Sequence, residues 1–279
     1  MAYFAPEKAS EDAINILNRA LSQERALSDF EITKIRKNLD SMQRRGYMAE
    51  YHMASSRFFA ILGDMQGLIK SSKEVFNSPY ATNKDKLQVV FALNNAMRYK
   101  DIYNFLPYLC ADEFIDDPAY VDCALSAYII NFDFENAKLL SSKLGKEMLC
   151  QKDISITIAL SEALESFFAK KGNSEDYKGY ITSTLDWYSE NILGRARNLL
   201  GQSSLNYSFY EDETIDFLSV SIEFRRGDLD DLLDLEDELL TYIAKSSYPS
   251  YVKSTLNIKM GFKDVEDNEA ITETVTVYD

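Results

Sequence analysis

The sequence predicts an all-α protein made of antiparallel helical hairpins stacked on one another. Three observations carry that expectation. First, a turn pattern returns along the chain. Gly63-Asp64-Met65-Gln66-Gly67-Leu68 and Gly227-Asp228-Leu229-Asp230-Asp231-Leu232 are near copies, while Met97-Arg98-Tyr99-Lys100-Asp101-Ile102 and Phe132-Asp133-Phe134-Glu135-Asn136-Ala137 keep the shape without the glycine. Second, Leu68, Ile102 and Ala137, which end the first three copies in chain order, are 34 and 35 residues apart, the spacing of a repeated helical hairpin. Third, 279 residues with 5 prolines and 10 glycines are poor in the punctuation that many short strands need, and 46% apolar with 27% charged residues is an ordinary globular composition.

Taken in order, the first helix starts at an N-cap on Ser10 and buries Ala13, Ile14, Ile16, Leu17, Ala20 and Leu21. Ser28-Asp29-Phe30-Glu31 is a capping box that opens a second helix ending near Gly46. These two form an N-terminal hairpin over residues 1–46. Helices at 47–62 and 64–77 flank Gly63, and a second pair spans 83–97 and 99–110. Pro118 sits in the first turn of a helix reaching Asn131, where its missing N–H costs little. Its partner covers 133–149. A fourth pair has Asp153 as cap, a break at Gly172-Asn173, and a long helix from Ser174 towards Leu200. Residues 201–210 read as a polar and aromatic connection, and a fifth pair spans 211–226 and 228–245. The repeat region is thus 47–250. In 251–279, Leu256–Met260 and Ile271–Val277 alternate apolar and polar residues, so this part is either a short C-terminal β-hairpin or an acidic, flexible tail with a strand-forming motif.

The period, the tight turn after each first helix and the apolar residue five positions beyond the turn's start make the chain resemble the tetratricopeptide-repeat family over 47–149, with a further hairpin at 213–245. Ser56 and Ala137 match its small contact residues, and Pro79 and Pro118 approximate its inter-repeat proline. Val90, Leu125, Leu68 and Ile102 are bulkier than its pattern and predict irregular curvature. The resemblance implies a right-handed α-solenoid whose first helices line a concave groove. Carried over by position, the groove residues are Met53 and Arg57 in the first pair, Lys84, Asn94 and Asn95 in the second, and Asp122 and Ser126 in the third.

Catalytic and cofactor signatures are not legible. His52 is the one histidine, inside the helix before Gly63, and no nucleophile or orienting carboxylate is marked for it. Cys110, Cys123 and Cys150 lack a zinc spacing and read as small buried hydrophobes of a reducing compartment. Leu144-Gly145-Lys146 has neither the upstream glycine nor the Ser/Thr of a phosphate loop. In the cluster Asp228, Asp230, Asp231, Asp234, Glu236, Asp237 and Glu238, leucines at 232 and 233 stand where a calcium loop needs an oxygen ligand and a glycine. The cluster reads as a solvated helix face, with a docking patch for a basic partner formed by Asp230, Asp231, Asp234, Asp237 and Glu238 as the sharper alternative. No cofactor or metal is expected.

Net charge is −15, and residues 205–279 hold 18 acidic against 6 basic side chains. Such a surface repels a phosphate backbone and attracts basic partners, so nucleic acid is an improbable ligand. No apolar run reaches membrane-span length and the first residues lack the pattern of a secretory signal, so a cytoplasmic location is expected. The leading expectation is a non-catalytic adaptor or scaffold that holds a peptide or a partner's helix in the concave groove. Two alternatives stay open. One is an acidic inhibitor or immunity-type protein that covers a basic enzyme site. The other is a repeat-containing regulator that touches DNA through residues 28–46, where Lys34, Arg36, Lys37, Arg44 and Arg45 lie. Partner identity and oligomeric state are left open.

Overall fold

Helix boundaries follow the caps that the sequence carries. In the computed structural model, residues 6–23, 25–201, 203–211 and 216–263 are described. α1 (Pro6–Ser22) begins before Ser10, which lies inside the helix and does not cap it. α2 (Asp29–Arg44) opens with the expected capping box: Ser28 N–H donates to Glu31 Oε2 at 3.0 Å, and Glu31 N–H donates to Ser28 Oγ at 3.3 Å. Arg25 clamps the same carboxylate through two bonds of 2.8 and 2.7 Å. These donors, Arg25 first, hold the Glu31 carboxyl down at about 2. Positive φ at Gly46 turns the chain into α3 (Met48–Leu62), and a small core of Ala13, Leu17, Ile35, Leu39, Met42, Ala54 and Phe58 joins these three helices.

The hairpins follow. α3 pairs with α4 (Met65–Asn77), α5 (Asn83–Asn95) with α6 (Tyr99–Phe105), and α7 (Pro118–Ile130) with α8 (Phe134–Ser142). α6 stops where Pro107 forces a 3₁₀ turn, short of the expected residue 110. The expected helix at 133–149 is likewise split, α9 (Lys146–Leu149) restarting after Gly145. Successive first helices pack on one another, α1 on α3, α3 on α5, α5 on α7, and α7 on α10 (Lys152–Lys171).

The turn copies share a backbone state. Gly63, Met97 and Phe132 all have positive φ, at 74°, 55° and 57°. Asp64 and Asp133 then cap the next helix, accepting from Gly67 N–H at 2.9 Å and Asn136 N–H at 3.2 Å.

The expected long helix from Ser174 to Leu200 breaks at Ile192 into α11 (Ser174–Asn191) and α12 (Leu193–Leu200). This arm folds back onto the turns. Ser189 Oγ donates to Met65 Sδ at 3.0 Å, Arg98 pairs with Asp186 and Glu190 at 3.2 and 3.0 Å, and Arg197 donates to Ala60 O. Gly63 and Gly194 meet backbone to backbone: a Cβ on Gly63 would stand 2.5 Å from Gly194 Cα.

The expected connection at 201–210 and helix at 211–226 are instead strands, β1 (Ser203–Glu211) and β2 (Asp216–Phe224), paired antiparallel from Ser203↔Phe224 to Glu211↔Asp216. The reason is period two. Leu218, Val220, Ile222 and Phe224 face the core at 0% exposure, alternating with Ser219, Ser221 and Glu223. α13 (Leu229–Lys245) and α14 (Ser250–Thr255) then carry the chain over to β3 (Leu256–Phe262), which lies parallel to β2 from Leu218↔Leu256 to Phe224↔Phe262. A parallel neighbour needs such a crossover. The strand expected at Leu256–Met260 therefore exists, and it pairs with β2 in a three-stranded sheet of order β1-β2-β3. Ile271–Val277 lies outside the described residues. Among the described residues the fold is mostly helical with this one small sheet.

Candidate interaction face

Arg57 on α3 donates to Asn18 on α1 and to Gln88 on α5. It thus ties three successive first helices on one side of the stack. Burial draws its pKa below the usual arginine value. Further along, Thr157 Oγ1 of α10 lies 3.2 Å from Asp122 Oδ1 on α7 and 2.9 Å from the Asp153 carbonyl, sharing its one proton between them. Burial raises the Asp122 pKa, Thr157 opposes the rise, and Asp153 adds to it. Lys84 is exposed, and Asn94, Asn95 and Ser126 are half-buried on α5 and α7. Met53 differs from the others: at 5% exposure it is buried in the main core and not on an open groove. The structure joins Arg57 to α1 and α5 and Asp122 to α10; no side-chain bond among the described residues joins Lys84, Asn94, Asn95 or Ser126 to one another.

Three members of this ladder, Asn18, Gln88 and Thr157, were not singled out from sequence. They lie on α1, α5 and α10, each the first helix of its pair. What the sequence lacked was the pairing of helices distant in the chain.

His52 is half-buried beside the Tyr51 ring at 4.9 Å. Its Nδ1 is buried without a partner, and burial lowers its pKa, with Glu74 opposing and Lys70 reinforcing. Cys123 is buried as expected, whereas Cys110 and Cys150 are exposed, so the reading of all three as core residues holds for one. The acidic residues of α13 divide by role. Asp228 caps the helix through Asp230 N–H at 2.8 Å, and Glu236 Oε1 accepts the outward N–H of Met260 on β3 at 3.0 Å. Glu238 takes Arg195 of α12 in two bonds of 2.8 and 2.6 Å, which raises the Arg195 pKa and lowers that of Glu238. Asp230, Asp234 and Asp237 are exposed and Asp231 is half-buried.

Among the described residues, no group of three His, Cys, Asp or Glu is placed to hold a metal ion, and no helix is long and apolar enough to cross a membrane. No protein-family model, curated protein or solved structure matches the chain.

Proposed function

We propose that the chain is a non-catalytic interaction protein, a tetratricopeptide-like right-handed α-solenoid whose first helices hold an extended peptide or a partner's helix. The observation that supports this reading is a set of polar side chains on the first helices, half-buried apart from the exposed Asn18, in which Arg57 joins α3 to α1 and α5, and Asp122 joins α7 to α10. A face built only to pack would fill these positions with apolar side chains. A face of two amides, a hydroxyl, a carboxylate and a guanidinium instead offers internal hydrogen bonds that exchange for bonds to a ligand's backbone. Arg57 supplies charge and additional N–H donors at its centre, and Asn94 and Asn95 supply donors and acceptors alongside.

The test is recovery of binding partners from the native host on immobilised wild type, on Asn94→Ala/Asn95→Ala, and on Arg57→Glu. The reading expects recovery to fall sharply with both variants. Arg57 also ties α1 to α5, so the asparagine pair, which carries no such link, decides the matter if Arg57→Glu lowers the melting temperature. Unchanged recovery on the folded asparagine variant would refute the site.

A further inference from the structure

A cleft of about 150 Å³ opens where the connection between α1 and α2, the last turn of α3, and α12 meet. Ala26, Leu27, Ile32, Ile61 and Leu62 give it apolar walls, and Arg197 of α12 lines it beside Asn198. Among the described residues, no acidic side chain lines it. The Arg197 guanidinium is only partly satisfied. Nη1 donates to Ala60 O, Nε is buried with no partner, and Nη2 makes no hydrogen bond among the described residues and is not sealed as Nε is. No carboxylate among the described residues forms an ion pair with it. Burial draws its pKa down to about 10, with the Tyr188 hydroxyl opposing, so the group is fully charged at neutral pH. The second arginine at the cleft, Arg25, is already clamped by Glu31 through two bonds.

An arginine serving only to cap α3 would gain from the Ala60 carbonyl at the negative end of that helix and keep its remaining donors in water. Nε of Arg197 has no water to reach, and an orphaned donor on a buried charge is expensive. The two donors left unfilled, Nε–H and Nη2–H, lie on the same side of the guanidinium plane and form one edge of its fork. That edge matches the two oxygens of a carboxylate, which would bond first to the open Nη2 and take Nε on a small turn of the side chain. The walls choose among anions. A bare phosphate would leave the apolar side chains uncovered, and a long acyl chain exceeds the space, whereas about 150 Å³ holds a body the size of benzene. We propose that this cleft binds a small monocarboxylate with a compact apolar body, its carboxylate on Arg197 and its body against Leu27, Ile32, Ile61 and Leu62.

Isothermal titration of the full chain with benzoate, benzamide and inorganic phosphate tests this. Benzoate is expected to bind. Benzamide has the same shape without the charge and should bind at least about tenfold more weakly, the worth of one charge-assisted hydrogen bond. Phosphate has the charge without the apolar body and should also be at least about tenfold weaker. Arg197→Lys keeps the charge but loses the planar edge, so benzoate should weaken about tenfold there too. If that variant lowers the melting temperature, Ala26→Phe decides: it replaces an exposed side chain of the connection with a ring that fills the cleft, and it should abolish benzoate binding while the fold is kept. Lys146→Met removes one positive charge from α9 and leaves benzoate affinity unchanged. Asn94→Ala/Asn95→Ala does likewise, which separates this cleft from the peptide-binding face. No benzoate binding up to roughly 10 mM, benzamide or phosphate binding as tightly as benzoate, or unchanged benzoate affinity in folded Arg197→Lys or Ala26→Phe overturns the proposal.

Discussion

Replacing Gly63 with alanine asks whether the first hairpin turn is held by its own conformation or by the helix that covers it. Two costs are separable. Gly63 has φ +74°, and a non-glycine residue in the left-handed region costs about 1 kcal/mol. The added methyl would also stand 2.5 Å from Gly194 Cα and 3.0 Å from Gly194 N, both backbone atoms that no rotamer change can move aside. Pushing α12 off the turn has the character of overpacking, about 1–3 kcal/mol. The sum is about 2–4 kcal/mol, roughly 5–15 °C in melting temperature for a chain of this size. Gly46→Ala provides the reference, because Gly46 has φ +80° but nothing within 4 Å of its Cβ position. It should cost only the conformational part, about 1 kcal/mol. Gly194→Ala meets Gly63 Cα and Leu62 O at 3.3 Å. There a mild clash opposes the gain in helix propensity, so the net change is expected within about 1 kcal/mol of zero. Urea unfolding followed by circular dichroism measures all three. Equal losses for Gly63→Ala and Gly46→Ala would refute the claim that α12 is pressed onto this turn.

His52 is the one histidine of the chain, and burial lowers its folded pKa, so the unfolded chain takes up the proton first as pH falls. Stability should therefore decline from pH 7.5 to 5.5, and His52→Gln should flatten that slope; an equally steep decline in the variant would show that other groups cause it. Arg98, 6% exposed, faces Asp101 at 2.8 Å, Asp186 at 3.2 Å and Glu190 at 3.0 Å. Arg98→Met is expected to cost about 2 kcal/mol at pH 7, at the low end for a partly buried cluster because Glu190 is half exposed. Burial already raises the Asp186 pKa, and Arg98 opposes that rise. Without the arginine the folded protein binds this proton more readily, so the gap from wild type should narrow as pH falls from 7 towards 5; a gap constant with pH would show that lost packing, not charge, is responsible.

Much of the helical layout was legible because it is encoded locally. The Ser28/Glu31 capping box, the Asp64 and Asp133 caps and the break at Gly172 (φ +66°) each act within a few residues. The sheet was partly legible. Leu256–Met260 was readable as a strand from its alternation, whereas β2 was hidden because Gly227-Asp228 looks like the other hairpin turns and drew the preceding residues into a helix. The alternation Leu218, Val220, Ile222, Phe224 was the stronger signal. For the candidate face, the positions carried over from the family resemblance put Arg57 and Asp122 on first helices. They were not enough to show that Asn18, Gln88 and Thr157 complete their bonds, because that depends on which helices stack. The return of α11 and α12 onto the turns was not legible either, since a contact between glycine backbones leaves no apolar pattern.

That return explains why some copies of the turn have glycine and others do not. Met97 and Phe132 adopt the left-handed conformation without it, at about 1 kcal/mol each. Packing offsets the cost: Met97 is 3% exposed, and the Phe132 ring lies 4.2 Å from that of Phe168. At Gly63 no side chain can fill the turn, because Gly194 of α12 already occupies the space. Gly227, with φ +140°, is closed by Leu200 at the other end of the same helix. Both glycine turns are therefore places where α12 arrives, and its Arg197 also donates to Ala60 O at the end of α3. An eight-residue helix thus joins the α3–α4 hairpin to α13 and to the start of the sheet.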